Sequence, residues 1–166
     1  MTRLVGPTLP DVLVARLSQR DLATRLGTAI PFVTVDPQGR PHAMLLSYLE
    51  VRAHDAGSIG LVILAASRST RNLAERGLGT LLLVEPDVVA YVKTRAVDGP
   101  LPVAGAEDLG LGYFLLGVEE VLEDAAAEWE GGMRMTHAIE YRPVPTLQEP
   151  WALATLAALA APRARA

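Results

Sequence analysis

The residues best suited to chemistry form one short run of hydroxyl and guanidinium side chains near the middle of the chain. They follow an apolar segment and lead into a short helix that we predict over residues 70–76: Ser67, Arg68, Ser69, Thr70, Arg71 and Asn72. Backbone N–H groups at a helix start, hydroxyls and guanidiniums together bind phosphate. The structural alternative is that Ser67 or Ser69 only caps the helix while both arginines are solvated. The run predicts either a phosphate site, with Arg68 or Arg71 as its main charge, or a capped surface helix.

The three histidines do not form a metal or acid–base group in the sequence. His42, His54 and His137 fall on three different predicted segments. Glu140 is an odd number of residues from His137, which puts the two on opposite faces of a strand. We therefore predict structural roles for the histidines and no metal site. His42 is the one that shares a strand face with apolar neighbours able to line a pocket, where proton transfer would be open to it.

Charge and composition limit the kinds of partner and chemistry that are open to the chain. The chain has 19 acidic and 15 basic residues, a formal net charge of −4 and a pI near 5.4, so it lacks the positive field that nucleic acid binding requires. It has no cysteine, which excludes disulfides, thiolate catalysis and cysteine-ligated metal centres. Its longest apolar stretch, residues 151–161, is too short to span a bilayer. We expect a cytoplasmic protein that binds neither nucleic acid nor a membrane.

Length and hydrophobicity predict a single domain over residues 1–166. Half of the 166 residues are hydrophobic and 20% are charged, which provides enough apolar surface for one sizeable core. No repeat and no long linker divides the chain. We expect N-terminal helices within residues 1–27, a barrel over residues 30–142 and a C-terminal helix over residues 146–161.

Leucine spacing marks the helices at the two ends of the chain. Leu9, Leu13 and Leu17 recur every four residues and predict a first helix over residues 9–17. A second short helix is predicted to stop at Gly27. The C-terminal helix would carry one apolar stripe, made of Leu147, Trp151, Leu156 and Leu159.

Alternating and β-branched segments predict that the rest of the chain is mostly strand. These segments are residues 30–36, 41–51, 59–65, 78–84, 88–94, 111–124 and 133–141. Tight turns, two of them with proline, separate neighbouring segments, which favours antiparallel pairing. Residues 98–110, rich in glycine and proline, are expected to form the longest irregular loop. Six or seven antiparallel strands with one inserted helix predict a small closed or nearly closed β-barrel.

The second predicted strand, residues 41–51, carries apolar residues on both of its faces. Met44 and Leu46 point one way, while Leu45 and Leu49 point the other. We expect both faces to be buried. Because the interior of a small barrel covers only one face of a strand, the other face needs a partner surface. The sequence therefore predicts a homodimer.

Two motifs resemble those of the pyridoxamine 5'-phosphate oxidase-like FMN-binding split barrels. The first is the hairpin Thr34-Val35-Asp36-x-x-Gly39-x-Pro41-His42, which is similar to the family's T-V-D-x-x-G-x-P-H. The second, about 25 residues later, is Ser67-x-Ser69-x-x-Asn72-Leu73, which is similar to S-x-K-x-x-N-L at the family's inserted helix. The resemblance covers about residues 10–95 by motif and the remainder by strand order.

The resemblance implies a mainly β, six-stranded antiparallel split barrel with flanking helices at both termini and one short inserted helix. It also implies a homodimer that holds FMN at the subunit interface and uses it for redox chemistry on an unidentified small molecule. The residues that it assigns to cofactor binding are Ser67, Arg68, Ser69, Arg71, Asn72, Met44 and Leu46. The alternatives are a binding protein without flavin, or one that takes haem, the deazaflavin F420 or another ligand in the dimer cleft.

Three positions depart from the family pattern. The lysine of the second motif corresponds to Ser69, so Arg68 or Arg71 would have to supply that phosphate contact. The arginine and lysine that hold the flavin phosphate in true pyridoxamine phosphate oxidases correspond to Met44 and Leu49. An apolar side chain cannot supply that charge. We therefore do not expect this chain to be a genuine pyridoxamine phosphate oxidase.

Overall fold

Eight antiparallel β-strands and four α-helices form the part of the chain, residues 2–161, that the structure, a computed structural model, describes. The strands are β1 (Thr2–Gly6), β2 (Ala29–Val35), β3 (Pro41–Ser47), β4 (Val51–Asp55), β5 (Ser58–Leu64), β6 (Leu78–Glu85), β7 (Val88–Pro102) and β8 (Leu111–Asp124). The helices are α1 (Asp11–Arg16), α2 (Leu22–Arg25), α3 (Arg68–Arg76) and α4 (Pro150–Ala160). The mainly β class, the antiparallel pairing and the single helix inserted among the strands are confirmed.

The strands belong to one sheet, which runs β3-β2-β6-β7-β8-β5-β4, and β1 pairs with β8 outside this path. Within the described residues no pairing joins β3 to β4, although the two are consecutive in the chain. The sheet therefore has an unpaired edge on each side of the β3–β4 turn. This arrangement is consistent with a split barrel.

The strand count differs from the predicted six. The predicted strand over residues 41–51 is two strands, because a turn at residues 48–50 separates β3 from β4. β1 was not predicted, since its five residues are almost entirely exposed and show no inward face. It exists because the long strand β8 offers a free edge, along which Thr2 pairs with Asp124.

The predicted strand over residues 133–141 is wrong. Its alternating apolar residues suggest an inward face, but Met133 is 68% exposed and Met135 43% exposed. One isolated bridge, between Thr28 and Glu140, is the β-type pairing that this segment makes in the described chain. The segment has the alternation of apolar and polar residues that is typical of a strand, but no neighbouring strand pairs with it along its length in the described chain.

Part of the predicted irregular loop over residues 98–110 is strand. β7 continues to Pro102 and pairs with β8 through three shifts of register, and the shift between Asp98 and Leu101 accommodates Gly99 and Pro100. Gly99 lies at one of these places with φ of 112°, and a Cβ there would stand 2.5 Å from the carbonyl oxygen of Tyr113. Only glycine fits that position.

The helices keep their predicted places with shifted ends. α1 and α2 lie within the predicted N-terminal pair of helices. α3 begins two residues earlier than predicted. It ends where predicted, at Arg76, and is capped by Gly77, whose φ is 70°. α4 begins at Pro150 rather than at residue 146, because proline fits the first turn of a helix. Within residues 2–161, no helix has the length and apolar character needed to cross a membrane.

Helices and sheet share one main core. The leucines of the N-terminal region are buried in the same cluster as Phe32 and Phe114 of the sheet: Leu9, Leu13 and Leu17, whose spacing predicted the first helix, together with Leu22 and Leu26. A smaller cluster lies beneath α4, where Leu159 packs with Val62 and Tyr113. Both ends of the chain are therefore attached to the sheet by apolar burial.

Candidate functional site

The start of α3 is a capped helix terminus that follows directly from β5. Ser67 is the N-cap, and its hydroxyl accepts a hydrogen bond from the backbone N–H of Thr70 at 3.1 Å. The Thr70 hydroxyl in turn donates to the carbonyl of Leu64 at 2.7 Å. Of the two cap residues that the sequence allowed, the structure selects Ser67. Capping leaves the N–H groups of Arg68 and Ser69 without an acceptor inside the helix.

Arg68 and Arg71 stand exposed beside this terminus, in a small cavity between α3 and the β2–β3 turn. The cavity has a volume of about 300 Å³ and is also lined by Asp36, Pro37, Gln38, Asn72 and Glu75. Among the described residues neither guanidinium forms an ion pair with a carboxylate. The volume of the cavity lies at the lower end of the range of roughly 300–1,000 Å³ that is usual for ligand pockets. We call this cavity the α3 cradle.

Two contacts fix the position of the hairpin relative to α3. The buried side-chain amide of Asn72 donates to the hydroxyl of Thr34 on β2 at 2.9 Å. At the other end of the helix, Arg76 donates to the carbonyl of Pro37 in the turn at 2.6 Å. Because both contacts cross from helix to hairpin, they fix the two walls of the α3 cradle relative to each other.

The other predicted cofactor residues lie inward. Ser69 is 2% exposed and Leu46 1% exposed, while Met44 is half-buried against the main core. Leu49, which corresponds to a family lysine, is completely buried. Of the seven predicted positions, Arg68 and Arg71 are thus the ones whose side chains are both charged and exposed.

The histidines lie apart, on separate segments as the sequence indicated. His42 is half-buried on β3, and its carbonyl accepts from Thr34 at 3.3 Å. Nε2 of His54 lies 3.0 Å from the hydroxyl of the buried Tyr113. His137 is exposed beside Thr136. Among the described residues no three potential ligands of the His, Asp and Glu types cluster as a metal site would require.

A second cavity, absent from the sequence-based prediction, lies where the C-terminal segment crosses the end of β3. It is a groove of about 610 Å³ with walls formed by Leu45, Leu46, Pro143, Val144, Pro145 and Trp151. The segment is attached to β2 because the carbonyl of Ile139 accepts from the N–H of Ala29 at 2.8 Å. We call this cavity the Glu50 groove, after the acidic residue of the β3–β4 turn that lines it.

The carboxyl group of Glu50 is held at one oxygen. Its Oε2 accepts from the backbone N–H of Ser47 at 2.6 Å and from the Ser47 hydroxyl at 2.8 Å. Burial raises the pKa of this carboxyl above its ordinary value, although the two hydrogen bonds from Ser47 act in the opposite direction. Burial also raises the pKa of the neighbouring Tyr141, and the charge of Glu50 adds to that shift.

The connection between α1 and α2 holds the β3–β4 turn through Gln19. The side-chain amide of Gln19 lies within 3.3 Å of three carbonyl oxygens of the turn, those of Tyr48, Leu49 and Val51. Gln19 itself has φ of 64°, a left-handed conformation that is uncommon for a residue other than glycine. This strained backbone is compensated by contacts that fix the turn.

A buried ionic cluster reinforces the same junction. Arg16 donates to Glu85 at 2.6 Å and also contacts Asp87, while Arg25 donates to Glu85 at 3.0 Å. The hydroxyl of Tyr48 donates to Glu85, and burial together with this hydrogen bond raises the Tyr48 pKa. The turn that carries Glu50 is therefore fixed by residues remote in sequence. The signal for Glu50 that sequence analysis passed over is one acidic residue within an apolar run.

Comparison with known proteins gives a match of fold. No family model matches the sequence, and no curated protein matches it either. A "putative pyridoxamine 5'-phosphate oxidase" from Lactobacillus delbrueckii aligns with a TM-score of 0.55 and 16% identity, covering 73% of this chain and 98% of that one. An FMN-binding protein from Syntrophomonas wolfei aligns with a TM-score of 0.50 and 15% identity, covering 70% and 92%.

This chain therefore has the fold of the pyridoxamine 5'-phosphate oxidase-like split-barrel proteins. The resemblance inferred from the two motifs is confirmed at that level. Similarity at 15% to 16% identity defines the architecture. What the chain binds has to be argued from its own side chains.

Proposed function

We propose that this chain is a flavin-binding split-barrel protein in which the α3 cradle holds the phosphate of FMN. The observation that carries the proposal is the pair of exposed guanidiniums, Arg68 and Arg71, beside a helix start with free N–H groups. A phosphate brings up to two negative charges and is stabilised by donors that are already in place. The split-barrel fold supports the proposal, since a solved FMN-binding protein has the same architecture.

The residues present fit one end of the cofactor. Arg68 and Arg71 would hold the phosphate, the N–H groups of Arg68 and Ser69 would donate to it, and Asn72 would position the helix through Thr34. The volume of the cradle suits a phosphate, so the flavin ring would extend beyond it. Bound FMN would supply electron transfer to or from a small organic molecule, and the chain would supply position and polarity.

The test is a titration of the purified protein with FMN. Hydrogen bonds to charged groups contribute roughly 1.5–3 kcal/mol each, so Arg68→Ala or Arg71→Ala should weaken FMN by about one to two orders of magnitude. Arg20→Ala, which removes an exposed arginine on another segment, is the matched control and should leave the affinity unchanged. Equal affinity in the single and double α3 variants would refute the proposal.

A second candidate is a split-barrel binding protein without flavin. The observation that favours it is the burial of Ser69, Leu46 and Leu49, which leaves the cradle with two cationic side chains and the acidic neighbours Asp36 and Glu75. Absorbance and mass spectrometry of small molecules released from the purified protein separate the two candidates. FMN supports the first, whereas F420, haem or no cofactor supports the second.

We further propose that the chain acts as a homodimer through the outer face of β3. The chain alone buries one face of this strand, while on the other Leu45 is 62% exposed and Ala43 is exposed. β3 is also a terminal strand of the sheet, and unpaired strand edges favour association. Sedimentation at micromolar concentration should give twice the 17.7 kDa of one chain. A mass of one chain that stays constant on further concentration would contradict this.

A further inference from the structure

The Glu50 groove combines a half-buried acidic group with aromatic and apolar walls. Its polar side chains are Ser47, Glu50, Tyr141 and Glu149, and its lining within the described residues contains no arginine, lysine or histidine. It shares Glu50 and Trp151 with a neighbouring cavity of about 320 Å³ at the end of β5. The two cavities lie within the roughly 300–1,000 Å³ that is usual for small-molecule sites.

Within residues 2–161, Glu50 has no cationic partner. Its hydrogen bonds with Ser47 engage Oε2, and among residues 2–161 no arginine, lysine or histidine forms an ion pair with it. A carboxylate removed from water without a counter-charge is costly, and an approaching cation with N–H donors relieves that cost. The ionic cluster around Glu85 is different, because there Arg16 and Arg25 supply the counter-charges from within the chain.

The aromatic side chains favour the same kind of ligand. Trp151 is half-buried in the groove, with its indole N–H directed to Glu149. The face of an indole attracts organic cations, most strongly when water is excluded. Carboxylate, phenol and indole groups thus line one apolar space that a cation can enter.

We propose that the Glu50 groove binds a small apolar organic ammonium ion, with its nitrogen at Glu50 and its hydrocarbon part against Trp151 and Val144. Two acidic groups, and a lining without basic side chains in the described part of the chain, disfavour anionic and phosphorylated ligands. The site involves none of the residues of the α3 cradle, but Leu45 in its wall also lies on the outer face of β3 that we propose as the dimer surface. The turn that carries Glu50 is held from behind by Gln19, which pre-organises the carboxyl for a ligand.

Tryptophan fluorescence provides a direct test. The chain has two tryptophans, and Trp129→Phe, at a position that is 86% exposed, leaves Trp151 as the sole reporter. Titration of this variant with phenethylammonium should change the Trp151 emission in a saturable way. Phenethyl alcohol, of the same shape without the charge, and the anion hydrocinnamate should bind about tenfold more weakly or not at all. Equal response to the ammonium ion and the alcohol would overturn the proposal.

Substitution of the carboxyl group locates the site. Glu50→Gln in the Trp129→Phe background keeps the shape and an acceptor for Ser47, and should weaken phenethylammonium by about tenfold or more. Glu120→Gln, at another half-buried glutamate, is the matched control and should not change the affinity. Unchanged affinity in a folded Glu50→Gln variant would also overturn the proposal. If that variant does not fold, the comparison of the three ligands on Trp151 decides the question alone.

Discussion

The α3 cradle and the Glu50 groove are two cavities of opposite charge that the chain builds in different ways. The cradle takes its two guanidiniums, its cap and its anchoring amide from six consecutive residues, together with one hairpin turn. The groove joins the β3–β4 turn to a segment about ninety residues further along the chain. In the cradle the charged groups are exposed, whereas in the groove the central carboxyl is half-buried.

This difference separates what each cavity can hold. Exposed arginines at a helix start bind an anion without a large desolvation cost, which suits a phosphate group. A half-buried carboxyl in an apolar groove discriminates more strongly, because a ligand without positive charge leaves it unpaired. The cradle is therefore expected to hold one end of a cofactor, and the groove to select among small molecules.

The largest expected effect is that the chain has no pyridoxamine phosphate oxidase activity. The resemblance places cations for the flavin phosphate at Met44 and Leu49, which supply no charge, and Leu49 lies in the core. Pyridoxamine phosphate would also need a second phosphate site, and the exposed arginines of the α3 cradle are already assigned to FMN. The groove repels phosphate for the reasons given above. FMN-loaded protein should therefore not form pyridoxal phosphate at rates typical of enzymes, of order 1 per second or more. Steady formation at such rates would show that a phosphate binds outside the cradle.

The next effect concerns the attachment of the turn behind the groove. Glu85→Ala would leave Arg16 and Arg25 without their shared counter-charge, at a site where the side chain of Arg16 is 6% exposed. Breaking a buried ion pair in this way costs about 3–5 kcal/mol. The free energy of unfolding from urea titrations should fall by that amount.

The neighbouring acidic residue provides the control for this prediction. Asp87 contacts the same arginine, but its side chain is 68% exposed, so Asp87→Ala should cost about 1 kcal/mol or less. Similar losses in the two variants would mean that the cluster does not depend on burial. Because Glu85 also accepts from Tyr48, its loss should weaken ligand binding in the groove more than FMN binding in the cradle.

The two cavities also differ in how far the sequence predicts them. Ser67, Arg68 and Arg71 could be identified because capping and charge are local properties of one run of residues. Glu50, Tyr141 and Trp151 could not be grouped, since their proximity depends on how the C-terminal segment crosses β3. Because residues 133–141 were predicted to form a strand, nothing in the sequence indicated that the segment after them crosses β3.

The fold itself was predicted where each segment carried its own signal. Leucine spacing gave α1 and α2, and the apolar alternation gave β2 and β8 to within one residue at each end. The strand β1 and the separation of β3 from β4 depend on partners: a free edge of β8 in one case and the turn held by Gln19 in the other. Such tertiary causes are not visible in local periodicity.

The smallest expected effect is a dependence of stability on pH that arises in the groove. Burial raises the pKa of Glu50 in the folded chain. Below the pKa of the unfolded state the carboxyl is neutral in both states and carries no penalty, but as the pH rises the unfolded chain ionises first and stability falls. Glu50→Gln should therefore match the parent chain at about pH 4 and exceed its stability near pH 7. Urea titrations at the two pH values measure this difference in the free energy of unfolding.

Glu120→Gln, which loses the ion pair with Lys93, should show no such gain. A Glu50→Gln variant that is less stable than the parent chain at neutral pH would mean that the carboxylate already has a counter-charge in the folded chain, and the groove would then need no cation from outside.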